Sequence, residues 1–350
     1  MIRVVAPSRL HFGLLHVPTP DLPGMRKFGG LGLMVDKPGL AVRVEISDAW
    51  EASGPSSDRA LAIAKKTVEG LVEEVRRPLR VIVEHCPPEH VGLGVGTQLS
   101  LAILDTVTEA FAGAHYNADW IAILSGRGKR SRIGVYGYRE GGLIVDCGHP
   151  PDCSSRSRRL PEISSSVLTR LDLPPDWRIL LARPMVSAGW HGDAERRAFA
   201  RPRDPVKAQQ TTDTLCRHLL LGVLPAVKEC EFTHFSESLY AFNRLAGEAF
   251  AADQGGPYAG PVVSGLIELL RSWGISGVGQ TSWGPTVFAM IESEEEAQRL
   301  AQRLTNEVAG LESVVVAKPS IRGASIFRDG ALLYQNAEQP NEEHIRGEHE

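Results

Sequence analysis

Apolar residues recur along the chain with two different periods, and the switches between them mark its elements. Residues 1–5 and 40–46 are rich in β-branched side chains with partial alternation, which predicts strands. Residues 57–75 carry apolar positions near a 3.6 period and predict a helix; 79–84 return to strand character. Pro87-Pro88 then breaks the chain, and a loop rich in glycine follows. Residues 97–112, with an interior of Leu, Ala, Ile and Val, predict a helix that Thr97 can cap.

The second half mixes the same signals. Strand character at 142–147 gives way to a Pro/Ser/Arg-rich stretch, 150–166, expected to be an exposed connector. A strand is predicted at 177–182, and helical patterns fill 207–250 and 260–273. Near the end come a strand (286–291), a helix (293–308) and a strand (312–317). Ser293 with Glu296 three residues on has the form of a capping box at that helix start. The tail after Asn336 is polar and charged, the composition of a disordered end. Helices and strands in both halves without a strict βαβαβ rhythm predict an α+β class rather than a doubly wound sheet.

Composition narrows the function. The 350 residues suffice for one large domain or two closely joined ones. With 43% hydrophobic and 23% charged residues, a sizeable core can form. A net charge of −4 gives no global basic field for nucleic acid, so any anion site must be local. No run approaches the roughly 18 apolar residues of a membrane span. Arg3, Arg9 and His11 interrupt the N-terminal apolar pattern, unlike the core of a signal peptide. A cytoplasmic protein without membrane or nucleic-acid partners is expected. The five cysteines are odd in number and irregularly spaced, which argues against a disulfide framework or a structural zinc site.

The most informative stretch is Pro88-Glu89-His90-Val91-Gly92-Leu93-Gly94-Val95-Gly96-Thr97-Gln98. Alternating glycines let backbone N–H groups approach a ligand, and a helix opening directly after them adds free donors and partial positive charge. Together they suit a phosphate, although a plain tight turn has the same spacing. Arg127, Lys129, Arg130 and Arg132 place four cations within six residues among Gly126, Gly128 and Gly134; they form either a solvated surface run or an anion-binding loop. His11 alternates with Arg9, so the two share one face of a strand. Asp193 and Glu195 could bind Mg²⁺ or act as a base, or could be ordinary helix N-terminal carboxylates. His191 and His234 have no zinc spacing with any partner.

Three of these stretches resemble the motifs of GHMP kinases, in the right order over about residues 1–330. They are Ala6-Pro7-Ser8-Arg9-Leu10-His11-Phe12-Gly13, Pro88-x-x-x-Gly92-Leu93-Gly94, and Gly277-Val278-Gly279-Gln280-Thr281-Ser282-Trp283-Gly284. Two departures from the kinases stand out. Val95-Gly96 replaces their Ser-Ser, and the segment 126–134 contains no carboxylate to act as a base. These departures match one branch. Arg9-Leu10-His11-Phe12-Gly13-Leu14-Leu15, Gly92–Gln98, Gly126-Arg127-Gly128-Lys129-Arg130-Ser131, Gln254-Gly255-Gly256 and Gly279–Thr286 are similar to the β-ribofuranosylaminobenzene 5′-phosphate synthases.

The resemblance implies a GHMP-kinase fold, with a ribosomal protein S5 domain 2-like N-terminal part at 1–170 and a ferredoxin-like C-terminal part at 171–335, followed by the tail 336–350. It implies a pentosyltransferase of tetrahydromethanopterin biosynthesis. Phosphoribosyl pyrophosphate would condense with 4-aminobenzoate or 4-hydroxybenzoate, releasing CO₂ and pyrophosphate, with Mg²⁺ and without an ATP requirement, in a homodimer. Arg9, His11 and Glu195 would then be catalytic. Gly92, Gly94, Gly96, Thr97, Gln98, Arg127, Lys129, Arg130 and Arg132 would bind phosphate. Gln280, Ser282 and Trp283 would bind substrate, the indole stacking on the benzoate or else serving the core. Asp193 is a candidate metal ligand. An ATP-dependent small-molecule kinase and a non-catalytic ligand sensor on the same fold are the alternatives.

Overall fold

The computed structural model describes residues 1–19, 25–150, 167–186 and 192–335. Its strands are β1 (Ile2–His16), β2 (Phe28–Ile46), β3 (Glu51–Ser53), β4 (Leu79–His85), β5 (Leu143–Asp146), β6 (Val167–Leu171), β7 (Arg178–Pro184), β8 (Val278–Gln280), β9 (Val287–Ile291), β10 (Leu311–Ala317), β11 (Ser325–Arg328) and β12 (Ala331–Gln335). They form an eight-stranded sheet, β12-β11-β1-β2-β4-β3 with β5 and β6 continuing from β2, and a four-stranded sheet, β10-β7-β9-β8.

The N-terminal hairpin is far longer than alternation predicts. β1 and β2 pair from Ile2↔Val44 to His16↔Phe28, with irregularities between Ala6 and Ser8 and between His11 and Gly13. Each irregularity breaks the period of two, which left only the Arg9–His11 alternation to mark the outer half of the hairpin. Gly32 permits the close approach: a Cβ there would stand 2.5 Å from the Leu10 carbonyl oxygen and 2.7 Å from Ile133 Cγ2.

The helices are α1 (Ser57–Glu69), α2 (Val95–Ala112), α3 (Ala118–Ser125), α4 (Ile133–Glu140), α5 (Asp193–Ala200), α6 (Pro205–His218), α7 (Leu224–Glu229), α8 (Phe232–Glu248), α9 (Ala251–Gln254), α10 (Gly260–Ser272) and α11 (Glu294–Glu307). The helix expected at 57–75 stops at Glu69, capped by Gly70. The helical stretch expected at 207–250 is broken by a wide turn at Leu219–Val223 and by Cys230 in the left-handed conformation. α2 begins at Val95, two residues before the expected Thr97. Its N-cap is Gly94 at φ 70°, a left-handed position that favours glycine over a hydroxyl cap. Ser293 does cap α11, its hydroxyl accepting from Glu296 N.

α2 is buried on nearly every face against β1 and β2, in a core built from residues such as Leu10, Leu33, Leu99 and Ile103. A second core lies under the four-stranded sheet, where α10 and α11 pack Ile267, Leu270 and Leu304 on Leu180 and Val287. The two parts are not separated in space at a single point of the chain. β11 and β12, near the C-terminus, return to the first sheet, with β11 antiparallel to β1. Apart from Pro150, the expected connector 150–166 lies outside the described residues, as does the tail 336–350. Among the described residues no helix is long and apolar enough to cross a membrane.

Candidate active site

Three segments far apart in the chain meet at the outer end of β1. Arg9 N donates to Leu93 O in the glycine loop (3.1 Å), and Ser282 N, in the turn after β8, donates to His11 O (2.9 Å). Thr281 ties all three together. Its Oγ1 accepts from His11 N and donates to Gly92 O, each at 2.9 Å. Thr286 Oγ1 adds a bond to Val91 O at 2.6 Å. The fit leaves no room for side chains on the backbone. A Cβ on Gly284 would lie 2.0 Å from the Val91 carbonyl carbon, and one on Gly92 would lie 2.3 Å from Thr281 O. Asn243 on α8 locks the arrangement from beneath. Its Nδ2 donates to Phe12 O (2.6 Å) and Gln280 O (2.9 Å), and its Oδ1 accepts from Gln280 N (3.0 Å).

A cavity of about 690 Å³ opens beside this junction. Arg9, Arg127, Lys129 and Arg130 give it a cationic side, and Phe28, Phe199, Phe250 and Trp283 an aromatic one. The Phe199 ring meets Phe28, Phe250 and Trp283 edge-on, at centroid distances of 5.9, 5.3 and 5.9 Å. The two sides join at Arg130: its Nη1 is 2.5 Å from Glu195 Oε1, and its guanidinium lies 4.2 Å from the centre of the Phe199 ring. Arg127 is steadied by Ser100, whose Oγ accepts from Nη2 at 2.8 Å.

Burial sets the charge states. It lowers Arg9 to about 10, partly offset by Glu195, so the guanidinium remains cationic at neutral pH. Burial and then the neighbouring Arg9 charge push His11 down to about 3, which keeps its imidazole neutral. Arg127 is lowered by burial and then by Arg59, with Glu89 acting in the opposite sense.

The structure brings together Arg9, His11, Thr97, Arg127, Lys129, Arg130, Glu195, Ser282 and Trp283 on the cavity wall. Gln280 also lines it, but both ends of its side chain are committed, Oε1 to Ala259 N and Nε2 to Ser282 O, which makes it a positioning residue. Five of the expected phosphate binders, Gly92, Gly94, Gly96, Gln98 and Arg132, are not on that wall. Gly92 backs onto Thr281, Gly94 onto the Arg9 side chain and Gly96 onto Arg59, while Gln98 Nε2 donates to Gly134 O. Arg132 likewise points elsewhere: nearly buried, it pairs with Asp119 at 3.3 Å, and its backbone N donates to Asp146 Oδ2. Asp193 is exposed in an ion pair with Arg196, away from the wall. His191 lies outside the described residues.

Phe28, Phe199, Asn243 and Phe250 were missed. Isolated aromatics in helices and strands read as core, and no local pattern says that three of them converge with Trp283. Glu195 is the only carboxylate on the wall among the described residues, and these contain no cluster of three or more His, Cys, Asp or Glu that could hold a metal.

Comparison with known proteins bears on the fold and the family. Residues 226–310 match the model of the GHMP kinases C-terminal family. The chain is 31% identical over 340 residues to the β-ribofuranosylphenol 5′-phosphate synthase of Methanothermobacter thermautotrophicus, covering 92% of this chain and 97% of that protein. It is also 31% identical to the protein of the same name from Archaeoglobus fulgidus, covering 93% and 99%. Among solved structures, a homoserine kinase from Listeria monocytogenes superposes with a TM-score of 0.64 at 14% identity, over 94% of this chain and all of that one. Mevalonate pyrophosphate decarboxylase from Streptococcus pyogenes superposes with a TM-score of 0.63 at 13% identity, over 92% and 97%. The structural likenesses establish the GHMP-kinase fold expected from the sequence.

Proposed function

Because the chain belongs to the β-ribofuranosylphenol 5′-phosphate synthase family, we propose that it joins phosphoribosyl pyrophosphate to a para-substituted benzoate in tetrahydromethanopterin biosynthesis. The relatives' name carries a phenol, which puts 4-hydroxybenzoate ahead of 4-aminobenzoate. The observation that carries the reading is the mixed lining of one cavity: four cations and four aromatic rings border a single space large enough for both substrates.

The 5-phosphate and pyrophosphate lie against Arg9, Arg127, Lys129 and Arg130, and the benzoate ring lies among Phe199, Phe250 and Trp283. The ring carbon bearing the carboxylate attacks C1 of the ribose, and pyrophosphate departs with the C1–O electron pair. The carbon–carboxylate bond then breaks, CO₂ leaves, and its electron pair restores aromaticity. No proton has to be taken from a hydroxyl. That accords with a cavity whose single carboxylate is held in an ion pair by Arg130 and whose histidine is too weakly basic to accept one. Cations and positioning carry the catalysis. Mg²⁺ would enter as the counter-ion of the pyrophosphate rather than on a protein ligand set, because Glu195, the one wall carboxylate among the described residues, is already paired with Arg130. A homodimer in the cytoplasm belongs to the same reading.

The test is benzoate labelled on its carboxylate, incubated with phosphoribosyl pyrophosphate and Mg²⁺, with and without ATP. Equal label release in both, matched by pyrophosphate, is expected. Release that requires ATP, or phosphate transfer from ATP to a small alcohol at a comparable rate, overturns the proposal in favour of a kinase.

A further inference from the structure

Outside the cavity, a polar cluster surrounds the first turn of α2 and is unused by the reaction just described. Arg59, on α1, reaches across to Gly96. A Cβ on Gly96 would stand 2.8 Å from Arg59 Nη2 and 3.3 Å from its Cζ. Gly96 has no left-handed φ to require glycine, so its missing side chain is explained by the guanidinium that rests on it. One turn on along the same face, Ser100 holds Arg127, which lines the cavity. The positive charge of Arg59 is felt at Arg127. Two guanidiniums are therefore held near each other beside the N-terminus of α2, where free N–H groups add positive character. Glu89, at the start of the glycine loop, is ion-paired with Arg59, and His90 Nε2 lies 3.7 Å from the same carboxylate. Both partners are largely covered, with Arg59 33% and Glu89 22% exposed. The one carboxylate of Glu89 acts on both guanidiniums, so their mutual repulsion is only partly offset and a further anion is favoured beside them.

We infer that Arg59 is a phosphate-positioning residue, placed by Gly96 to share a phosphate group of the pyrophosphate with Arg127, and that Glu89 is its counter-ion in the free protein. The inference rests on the reaction proposed above and names which residues hold its leaving group. Pyrophosphate binding exchanges one carboxylate partner of Arg59 for a phosphate of higher charge, and the released Glu89 can turn to His90 or solvent.

Calorimetry with inorganic pyrophosphate on the full chain tests this without requiring turnover. Arg59→Gln should weaken pyrophosphate about tenfold or more, the loss of one charge-assisted contact. Arg59→Lys should recover part of it, and Glu89→Gln should tighten binding severalfold by removing the internal competitor. In turnover, Arg59→Gln should raise KM for phosphoribosyl pyrophosphate while leaving KM for the benzoate unchanged. Should Arg59→Gln alone melt early, the Arg59→Gln/Glu89→Gln pair, which leaves no unpaired charge, replaces it. Wild-type pyrophosphate affinity in a folded Arg59→Gln variant overturns the inference, and a Glu89→Gln variant that binds no tighter overturns the counter-ion role. If pyrophosphate binding depends on Arg59 but neither benzoate is decarboxylated, the reaction fails and the phosphate role stands. If label release is normal and indifferent to Arg59, the reverse holds.

Discussion

Arg130 and Glu195, 65 residues apart, form a 2.5 Å ion pair that fastens α5 to the basic loop and closes one side of the cavity. The two side chains should respond differently to mutation. Arg130→Ala removes a phosphate contact and should raise KM for phosphoribosyl pyrophosphate about tenfold or more. Glu195→Gln should keep kcat within about fivefold, because no proton transfer depends on it. A general base contributes about 10²–10⁴, so a loss above about 100-fold in steady-state kinetics would make Glu195 a base.

Trp283 sits edge-on to Phe250 at 4.5 Å and to Phe199 at 5.9 Å. Trp283→Ala should raise KM for the benzoate about tenfold, the scale of one aromatic contact plus its buried area. KM for phosphoribosyl pyrophosphate should move less than about threefold. Equal rises in both would place the indole in the scaffold instead.

Asn243→Ala strands three buried backbone groups, the carbonyls of Phe12 and Gln280 and the Gln280 N–H. At about 1 kcal/mol or more for each, the loss should reach about 3 kcal/mol in urea unfolding. A change below about 1 kcal/mol would show that water or a rearranged Gln280 replaces the amide.

His11 gives a pH signature with a definite sign. Its folded pKa, about 3, is below the unfolded value, so as pH falls below about 6.5 the unfolded chain takes up a proton that the native one refuses. Stability contributed by His11 is complete above that range and is lost towards pH 3, by about 1.4 kcal/mol per pH unit in the middle of the window. Burial and Arg9 are the causes. His11→Asn should therefore flatten the pH dependence of unfolding between pH 6 and 5. Parallel curves for wild type and variant would show that the imidazole charges freely.

Much of the fold was legible because its signals are local. The strand at β7, the α11 helix with its Ser293 cap, and the glycine loop opening α2 depend on periods and on residues within one turn of each other. Beyond the Arg9–His11 alternation, the outer halves of β1 and β2 were not, because two register irregularities and Gly30 and Gly32 erase the alternation that marks a strand.

The same division holds at the site. The sequence by itself determined the chemical inventory: the glycines, the basic run from Arg127, the Arg9–His11 face, and the absence of a carboxylate between Gly126 and Gly134. Only the tertiary structure decided which of these face one another. Arg132 and Arg130 are two residues apart in a single basic run, yet one is buried against Asp119 and the other stands in the cavity on Phe199. Likewise Gly96, read as a phosphate contact, is a seat for Arg59 from another helix. Residue type fixes charge and size, but the direction of a side chain is set by what packs against it. In this protein those neighbours lie tens to hundreds of residues away.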